Sequence, residues 1–322
     1  MHRIIIAGGA GFIGSNLTRQ LLALGNEVIC CDNFLTSSED NIHEFLSNPN
    51  YKFIKHDVIN PLYENVVADY VYHLASPASP NHHSKISYHA LPLQTMMVNT
   101  MGTLELLKFS QKNKARFLFA STSEAYGDPL EHPQNEEYRG NVSTTGPRSV
   151  YDEAKRFGET LTAYFGRDKG VDVRIARIFN TYGPNMHIDD LRMVVRFISQ
   201  ALKNEPITVF GEGIQTRSLC FVDDMVEGLI RLMFTDNANG QVVNLGNPEE
   251  HSVNEYAEIV KRLTTSTSEI VHLESLPTDD PLRRQPDISK AIKLLSWEPK
   301  ILLEDGLIKM ISYVKNWEEK SL

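Results

Sequence analysis

The sequence predicts an α/β fold built on a parallel sheet, and three observations support this prediction. Short apolar runs alternate with amphipathic stretches through the first half of the chain, as strands and helices do. A glycine-rich turn follows the first apolar run, and the alternation ends after about residue 177. Because parallel strands need crossover helices, this pattern favours a doubly wound sheet covered on both faces.

Each element follows from the same periodicity. The predicted strands cover residues 3–7, 27–32, 51–54, 70–74, 116–121 and 172–177. The helices between them cover residues 13–24, 95–112 and 151–169. Later helices, at 190–203, 222–234 and 254–263, mix with short strands and Pro/Gly turns. We therefore expect a first domain over residues 1–176 and a smaller α+β substrate-binding lobe over 177–322, with the chain free to cross back.

Composition narrows the function. The 322 residues carry a net charge of −9, which argues against a general nucleic-acid surface but allows an anionic small molecule where arginines gather. No segment is long and apolar enough to predict a membrane span, and the N-terminus lacks a signal-peptide pattern. The three cysteines have no metal-site spacing and suit a reduced compartment. We expect a cytoplasmic protein without a metal site.

The turn after the first strand, in "IIIAGGAGFIGSNL", has the spacing of a phosphate-binding loop. Gly8, Gly11 and Gly14 allow the backbone to approach a pyrophosphate, and the following helix presents free N–H groups to it. A tight turn without a ligand is the alternative. Asp32 ends the second strand, where a carboxylate can accept both hydroxyls of a ribose. No arginine follows it directly, so a Rossmann-type domain that binds NAD rather than NADP is favoured.

The stretch "YDEAK" places Tyr151 and Lys155 on one face of a predicted helix. A neighbouring ammonium favours phenolate and lowers the pKa of a tyrosine. Such a tyrosine can take a proton from a sugar hydroxyl while hydride leaves for a nicotinamide. The pair could also be an unrelated surface pair, but its position after the fifth strand favours catalysis.

Together these motifs resemble the nucleotide-sugar branch of the extended short-chain dehydrogenase/reductase superfamily, and within it the UDP-glucuronate decarboxylases. The resemblance covers essentially the whole chain, including "HLASPASP", "TSEAYGDP", "GPRSVYDEAKR", "ARIFNTYGPNM", "VNLGNPEEH" and "PDISKA". It implies an NAD site whose residues are Gly8, Gly11, Phe12, Ile13, Gly14, Asp32, Asn33, Asp57, Val58, Leu74, Ala75, Ser76, Asn99, Tyr151 and Lys155.

The stretch "STSEAYG" distinguishes reactions within the branch. The resemblance implies that Thr122 contacts the C4 oxygen, and that the next two residues determine the fate of the sugar after C4 oxidation. In 4,6-dehydratases these are Asp-Glu, and in 4-epimerases they usually lack a carboxylate. Here they are Ser123 and Glu124, so the acid that expels a 6-hydroxyl is missing while a carboxylate remains near C5. A turn acid is the alternative for Glu124.

Chemistry then favours a decarboxylase. A 4-keto uronic acid is a β-keto acid, and its ketone accepts the electrons released when CO2 leaves C5, without a metal. The expected reaction is conversion of UDP-glucuronate to UDP-xylose with NAD, through C4 oxidation, loss of CO2, C5 protonation and C4 reduction. Glu124 and Arg217 are expected beside C5 and the carboxylate. Either a Glu124-linked relay or arginine-bound water could protonate C5.

The resemblance also implies contacts with the UDP-sugar. The residues are Tyr63, Asn180, Thr181, Arg192, Arg217 and Arg283, although each arginine could instead be solvated. The stretch from residue 81 to 98 is longer than in the family, and Met97 stands where the family has a lysine. Lys85 or a histidine of this stretch could replace that lysine; His82, His83 and His89 have no metal spacing.

Two other classes of function remain open at this point. One is a UDP-uronate 4-epimerase or a nucleotide-sugar 4,6-dehydratase of the same branch, and the other is a non-catalytic NAD-binding protein. Intact Thr122, Tyr151 and Lys155 argue against the second, because a sensor needs no proton-transfer pair. The family commonly dimerises through two helices, here 95–112 and 151–169, so a homodimer is expected.

Overall fold

The computed structural model describes residues 1–63, 65–273 and 283–320. Its strands are β1 (Arg3–Ala7), β2 (Glu27–Asp32), β3 (Tyr51–Lys55), β4 (Tyr70–His73), β5 (Arg116–Thr122), β6 (Val173–Ile178), β7 (Thr181–Tyr182), β8 (Ile207–Phe210), β9 (Thr216–Ser218), β10 (Cys220–Phe221), β11 (Gln241–Leu245), β12 (Glu250–Ser252) and β13 (Ile270–Leu273). Its helices are α1 (Phe12–Ala23), α2 (Pro92–Met97), α3 (Thr103–Asn113), α4 (Ser149–Lys169), α5 (Met193–Leu202), α6 (Val222–Phe234), α7 (Val253–Leu263), α8 (Ser289–Leu295) and α9 (Leu303–Lys320).

A seven-stranded parallel sheet forms the centre of the molecule, in the order β11-β6-β5-β4-β1-β2-β3. Alternate residues of β1 enter two different cores: Ile4 and Ile6 pack on one face, and Ile5 and Ala7 on the other. Because both faces are covered, the strands are apolar throughout rather than alternating. The predicted doubly wound, Rossmann-type parallel sheet is confirmed.

The seventh strand lies far along the chain from its neighbour. β11 pairs with β6 in parallel, with Gln241 opposite Arg174 and Leu245 opposite Ile178. The predicted strands did not include it, since its five residues follow a helix inside the expected second lobe. The remaining short strands pair two by two, as β10 with β7, β12 with β9 and β13 with β8.

The predicted helix 95–112 is interrupted. It comprises α2, a π-helical turn over Val98–Gly102, and α3. Single π turns within α-helices frequently occur at functional sites. Here the turn contains Asn99, whose Nδ2 donates to the Thr95 carbonyl and to Ser76 Oγ. A periodicity of apolar residues does not distinguish this turn from a continuous helix.

α5 begins later than predicted, at Met193 instead of Asp190. Leu191 adopts φ 55°, in the left-handed region, so the chain cannot be helical there. Arg192 is extended and precedes the first helical residue. Within the described ranges, the structure contains no helix long and apolar enough to cross a membrane.

Candidate active site

The glycine loop is closed by backbone contacts that leave no room for side chains. A Cβ on Gly8 would lie 2.7 Å from the backbone nitrogen of Ala75, and Gly8 has φ 82°. A Cβ on Gly14 would overlap the carbonyl oxygen of Gly8. The loop therefore forms only with glycine at these positions, and it leads directly into α1, as the sequence predicts.

Asp32 lies at the end of β2 and fixes the loop on its other side. Its carboxylate accepts hydrogen bonds from the backbone N–H groups of Ala10 at 3.0 Å and Phe34 at 2.9 Å, and from Ser37 Oγ at 2.8 Å. Asn33 Nδ2 donates to Asp57 at 3.2 Å. This edge thus presents two ordered carboxylates beside the loop.

Two adjoining pockets run along the carboxyl edge of the sheet, and both include Gly8, Gly11 and Leu74. The proposed cofactor residues divide between them. The first contains Phe12, Ile13, Gly14, Tyr151 and Lys155; the second contains Asp32, Asn33, Asp57, Val58 and Ala75; Ser76 borders both. Asn99 supports Ser76 from behind. An extended dinucleotide fits this shape, with the glycine loop at its middle.

Tyr151 and Lys155 face the first pocket from α4, together with Thr122 at the end of β5. The Lys155 ammonium donates to the Ala120 carbonyl at 2.8 Å and lies 5.8 Å from the centre of the Tyr151 ring. Burial lowers the pKa of Lys155 to about 7, although the charge of Glu159 opposes this. The three side chains proposed for C4 chemistry therefore lie together.

The expected lowering of the Tyr151 pKa is not what this arrangement produces. Burial raises the pKa of Tyr151 above the ordinary range of a phenol, while a hydrogen bond with Thr122 lowers it less strongly. Tyr151 is thus held as a phenol.

The long stretch 81–98 supplies a residue that sequence reasoning missed. The Tyr88 ring stacks on the Tyr151 ring, with centroids 4.9 Å apart and planes 7° from parallel. Lys85 is exposed and borders neither cofactor pocket. His82 and His83 border a third pocket, described below as the proposed substrate pocket. Met97 borders the second cofactor pocket. The extra length therefore places a ring against Tyr151, while Lys85 is not positioned to replace the family lysine.

Glu124 is held between two arginines from distant segments. Its Oε2 accepts from Arg148 at 2.6 Å and from Arg284 at 3.2 Å. Arg284 also donates to the carbonyls of Ser123 and Gly127. Only 2% of the Arg284 side chain is exposed, so its positive charge is buried.

The two arginines keep Glu124 ionised. Burial alone raises the pKa of this carboxyl, but the charges of Arg148 and Arg284 outweigh it and hold the pKa well below its usual range. The neighbouring Asp152 behaves in the opposite way. Burial raises its pKa to about 8, and the negative charge of Glu124 adds to that shift. One carboxylate of this pair is ionised while the other keeps its proton near neutral pH.

A third pocket, bordered by Glu124 and mainly by residues that follow β6, is the proposed substrate pocket. Asn180, Thr181, Arg192 and Arg217 border it, as the sequence predicts for substrate contacts. Arg192 donates to both oxygens of Asp190, at 2.6 and 2.8 Å. Arg217 Nη1 donates to the Thr216 carbonyl at 2.7 Å.

Two proposed substrate contacts lie elsewhere. Arg283 is 62% exposed and 3.8 Å from Glu250, and its neighbour Arg284 takes the interior position instead. Tyr63 is 55% exposed, with its ring 5.4 Å from that of His56 on the cofactor side. Adjacent arginines in a loop carry no periodicity, so the sequence did not indicate which one faces inward.

Comparison with known proteins places these observations in a family. Residues 4–246 match the NAD dependent epimerase/dehydratase family. Over 314 residues the chain is 50% identical to UDP-glucuronic acid decarboxylase 1 of Danio rerio, covering 97% of this chain and 72% of that protein. Over 306 residues it is 51% identical to UDP-glucuronic acid decarboxylase 6 of Arabidopsis thaliana, covering 95% and 86%.

A solved structure shows the same architecture over the full length. The UDP-glucuronic acid 4-epimerase from Bacillus cereus, in complex with UDP-glucuronic acid and NAD, superposes with a TM-score of 0.86. The two are 29% identical, and the match covers 98% of this chain and 99% of that one. Within the described residues, no group of three or more His, Cys, Asp or Glu could hold a metal ion.

Proposed function

The chain belongs to the NAD-dependent epimerase/dehydratase family and to its UDP-glucuronic acid decarboxylases, and we propose that it converts UDP-glucuronate to UDP-xylose and CO2. The observation that carries this proposal is the Ser123–Glu124 pair, in which a carboxylate is fixed by Arg148 and Arg284 at the end of β5. Ser123 offers no acid for expelling a hydroxyl, so dehydration is disfavoured.

NAD is the cofactor, and the residues present fit it. The glycine loop leaves open backbone beside α1, and the Asp32 carboxylate lies at the second pocket for a ribose. When bound, NAD takes hydride from C4 of the sugar and later returns it. Lys155, Tyr151 and Ser76 border the pocket at the end where the nicotinamide would lie.

Tyr151 must first lose its phenol proton to solvent; as the phenolate it accepts the C4 hydroxyl proton, and Thr122 orients the same oxygen. Because the phenol is buried, its ionisation costs more than in water, so proton transfer depends on the Lys155 ammonium nearby. Tyr88 restricts the ring of Tyr151 by stacking on it. When the ketone is reduced, the phenol returns the proton to the C4 oxygen.

The cluster around Glu124 acts on the other carbon. Once C4 is a ketone, the uronate is a β-keto acid, and the electrons of the breaking C5–CO2 bond pass into the ketone. Arg217 shares the substrate pocket with Glu124 and can bind the substrate carboxylate before CO2 leaves. That contact must weaken as negative charge moves into the ring, since an equally strong contact throughout would not accelerate the reaction.

Incubation with UDP-glucuronate and NAD tests the proposal. We expect CO2 release and a nucleotide product lighter by one CO2, identified as UDP-xylose by mass spectrometry and chromatography. An unchanged product mass without CO2 would indicate a 4-epimerase instead and would contradict the decarboxylase. UDP-glucose serves as the control, since it has no carboxylate to lose.

Assembly and location complete the proposal. We infer that the chain is a homodimer that packs residues 95–112 and 151–169 against their copies, because these segments expose Met101, Phe157 and Tyr164. It acts in the cytoplasm, where its buried free cysteines Cys30, Cys31 and Cys220 stay reduced. Sedimentation measures the assembly, and localisation of a tagged full-length protein measures the compartment.

A further inference from the structure

Decarboxylation of a uronate consumes one proton at each turnover, and an inference about its source rests on the proposed function. The proton that Tyr151 takes from the C4 hydroxyl returns to the C4 oxygen on reduction, so it is not consumed. Loss of CO2 from a carboxylate leaves an electron pair at C5, where a new C–H bond must form. One proton per turnover must therefore travel from water to C5, through a site whose known acid, Tyr151, is already committed.

A second cavity meets the substrate pocket at Glu124. Glu124, Arg148 and Arg284 border both spaces. The outer part of this cavity is formed by exposed residues, Asn141, Ser143 and Asp128 among them. It therefore connects the protein surface with the back of the Glu124 carboxylate without passing through the substrate or cofactor pockets.

Asp152 borders the same cavity from the first turn of α4. Only 6% of the residue is exposed, and its Oδ1 is buried without a hydrogen-bond partner among the described residues. A buried, unpartnered carboxylate is costly, because no donor replaces the water it has lost. A neutral carboxylic acid in the same place costs much less free energy to bury, and it keeps a proton available.

Several charged and titratable groups act on Asp152 from the surrounding elements. They are Glu124 after β5, Arg148 at the start of α4, Glu153 on α4, Arg284 before α8, and Tyr88 in the stretch 81–98. Glu124 and Glu153 favour the protonated form, whereas the arginines favour the ionised form. Burial adds to the effect of the two glutamates, and the combined result is a protonated Asp152 up to about pH 8.

We propose that Asp152 stores the proton that is delivered to C5, and that it passes this proton through Glu124. Through water in the cavity that both residues border, the Asp152 O–H bond breaks as a Glu124 O–H bond forms, and the Glu124 O–H bond breaks as the C5–H bond forms. Water in the cavity then returns a proton to Asp152, and no electrons are exchanged with a cofactor in these transfers. Asp152 is a positioning residue for the proton and does not touch the substrate.

The different acidities of the two carboxyl groups suit these two tasks. A store must keep its proton at the working pH, which the raised pKa of Asp152 allows. A donor to carbon must give its proton up readily, and Glu124, held ionised by two arginines, is a strong acid when it is briefly protonated.

The test uses the full chain loaded with NAD and compares Asp152→Asn with Asp128→Asn, which removes an exposed carboxylate from the same cavity. In a single turnover with UDP-glucuronate we expect Asp152→Asn to form bound NADH and CO2 within about twofold of the unsubstituted rate. Conversion to UDP-xylose should slow by at least about tenfold, less than the roughly 100-fold or more that a positioned general acid contributes, because Glu124 remains in place. Asp128→Asn should leave both phases unchanged.

The pH profile separates a proton store from a structural role. In the unsubstituted protein the C5 protonation phase should slow as pH rises through about 8, because Asp152 loses its proton there. Asp152→Asn should lack this dependence and should show a larger solvent deuterium isotope effect on the same phase. An Asp152→Asn protein with the normal final phase and pH profile would overturn the proposal. Equal slowing of NADH formation and of the final phase would also overturn it, because Asp152 would then only support the site.

Failure of this inference is distinguishable from failure of the proposed function. If the unsubstituted chain releases no CO2 from UDP-glucuronate, the decarboxylase itself is wrong. If it releases CO2 and Asp152→Asn behaves normally, only the proton store is wrong.

Discussion

The glycine loop and the cluster of Glu124, Arg148 and Arg284 are built in different ways, although both border the same reaction space. The loop is made by backbone: Gly8 and Gly14 are tolerated there because their missing side chains let the chain close on Ala75 and on itself. The cluster is made by charged side chains that reach Glu124 from 24 and 160 positions away in sequence. The first region is compact in sequence and the second is dispersed, and we propose that the first serves redox chemistry and the second serves chemistry at carbon. Changes in each should therefore affect separate steps.

The largest effect is expected in the loop. In Gly14→Ala, the added Cβ overlaps the Gly8 carbonyl, so the loop must open and lose its fit to the pyrophosphate. Overpacking of this kind costs about 3 kcal/mol, which corresponds to at least about a 100-fold loss of NAD affinity. Titration with NAD measures this loss of affinity. Binding of UDP-glucuronate, measured separately by calorimetry, should change little; a parallel loss of both would show that the two regions are not separable.

An effect of comparable size is expected in the cluster. Arg284→Met removes a buried partner of Glu124 and should lower the free energy of unfolding by about 3 kcal/mol, with loss of UDP-xylose formation. Arg283→Met is the matched control, because the adjacent side chain is 62% exposed. It should stay within about 0.5 kcal/mol of the unsubstituted protein in chemical denaturation. The reverse ranking would mean that Arg283 is the interior residue.

The same difference explains which parts of the site the sequence could predict. Gly8, Gly11, Gly14 and Asp32 lie within two strands and one helix, so their spacing alone predicted where they meet. Tyr151 and Lys155 share one helical face for the same reason. The sheet followed from the alternation of strands and helices, except for β11, which lies more than 60 positions after its neighbour β6 in the chain.

The sequence did not predict the features that depend on tertiary contacts. Arg148 and Arg284 acquire their roles only when α4 and the segment before α8 converge on Glu124. The ring of Tyr88 comes from a stretch with no helical or strand periodicity, so its stacking on Tyr151 was not predictable. The pKa of Tyr151 was predicted to be lowered by Lys155, yet burial raises it. Burial is a property of the folded chain and is not visible in a spacing.

A separate effect concerns how the free energy of unfolding depends on pH. The raised pKa of Asp152 means that the folded protein binds a proton that the unfolded chain has already released between about pH 4 and 8. Stability from this group is therefore present at low pH and is lost as pH rises through about 8. Each unit of pKa difference corresponds to about 1.4 kcal/mol. Unfolding free energies measured across this range should fall less steeply for Asp152→Asn, and parallel slopes would contradict the assignment.

The most direct measurement of the separation between redox and carbon chemistry is a single turnover of Glu124→Gln with NAD and UDP-glucuronate. Gln keeps the size of the side chain but removes the carboxylate that Arg148 and Arg284 hold. We expect bound NADH to form at close to the normal rate, since Thr122, Tyr151 and Lys155 are unchanged, while UDP-xylose forms at least about 100-fold more slowly. Normal formation of UDP-xylose, or equal loss of both signals, would contradict the division of labour between the two regions.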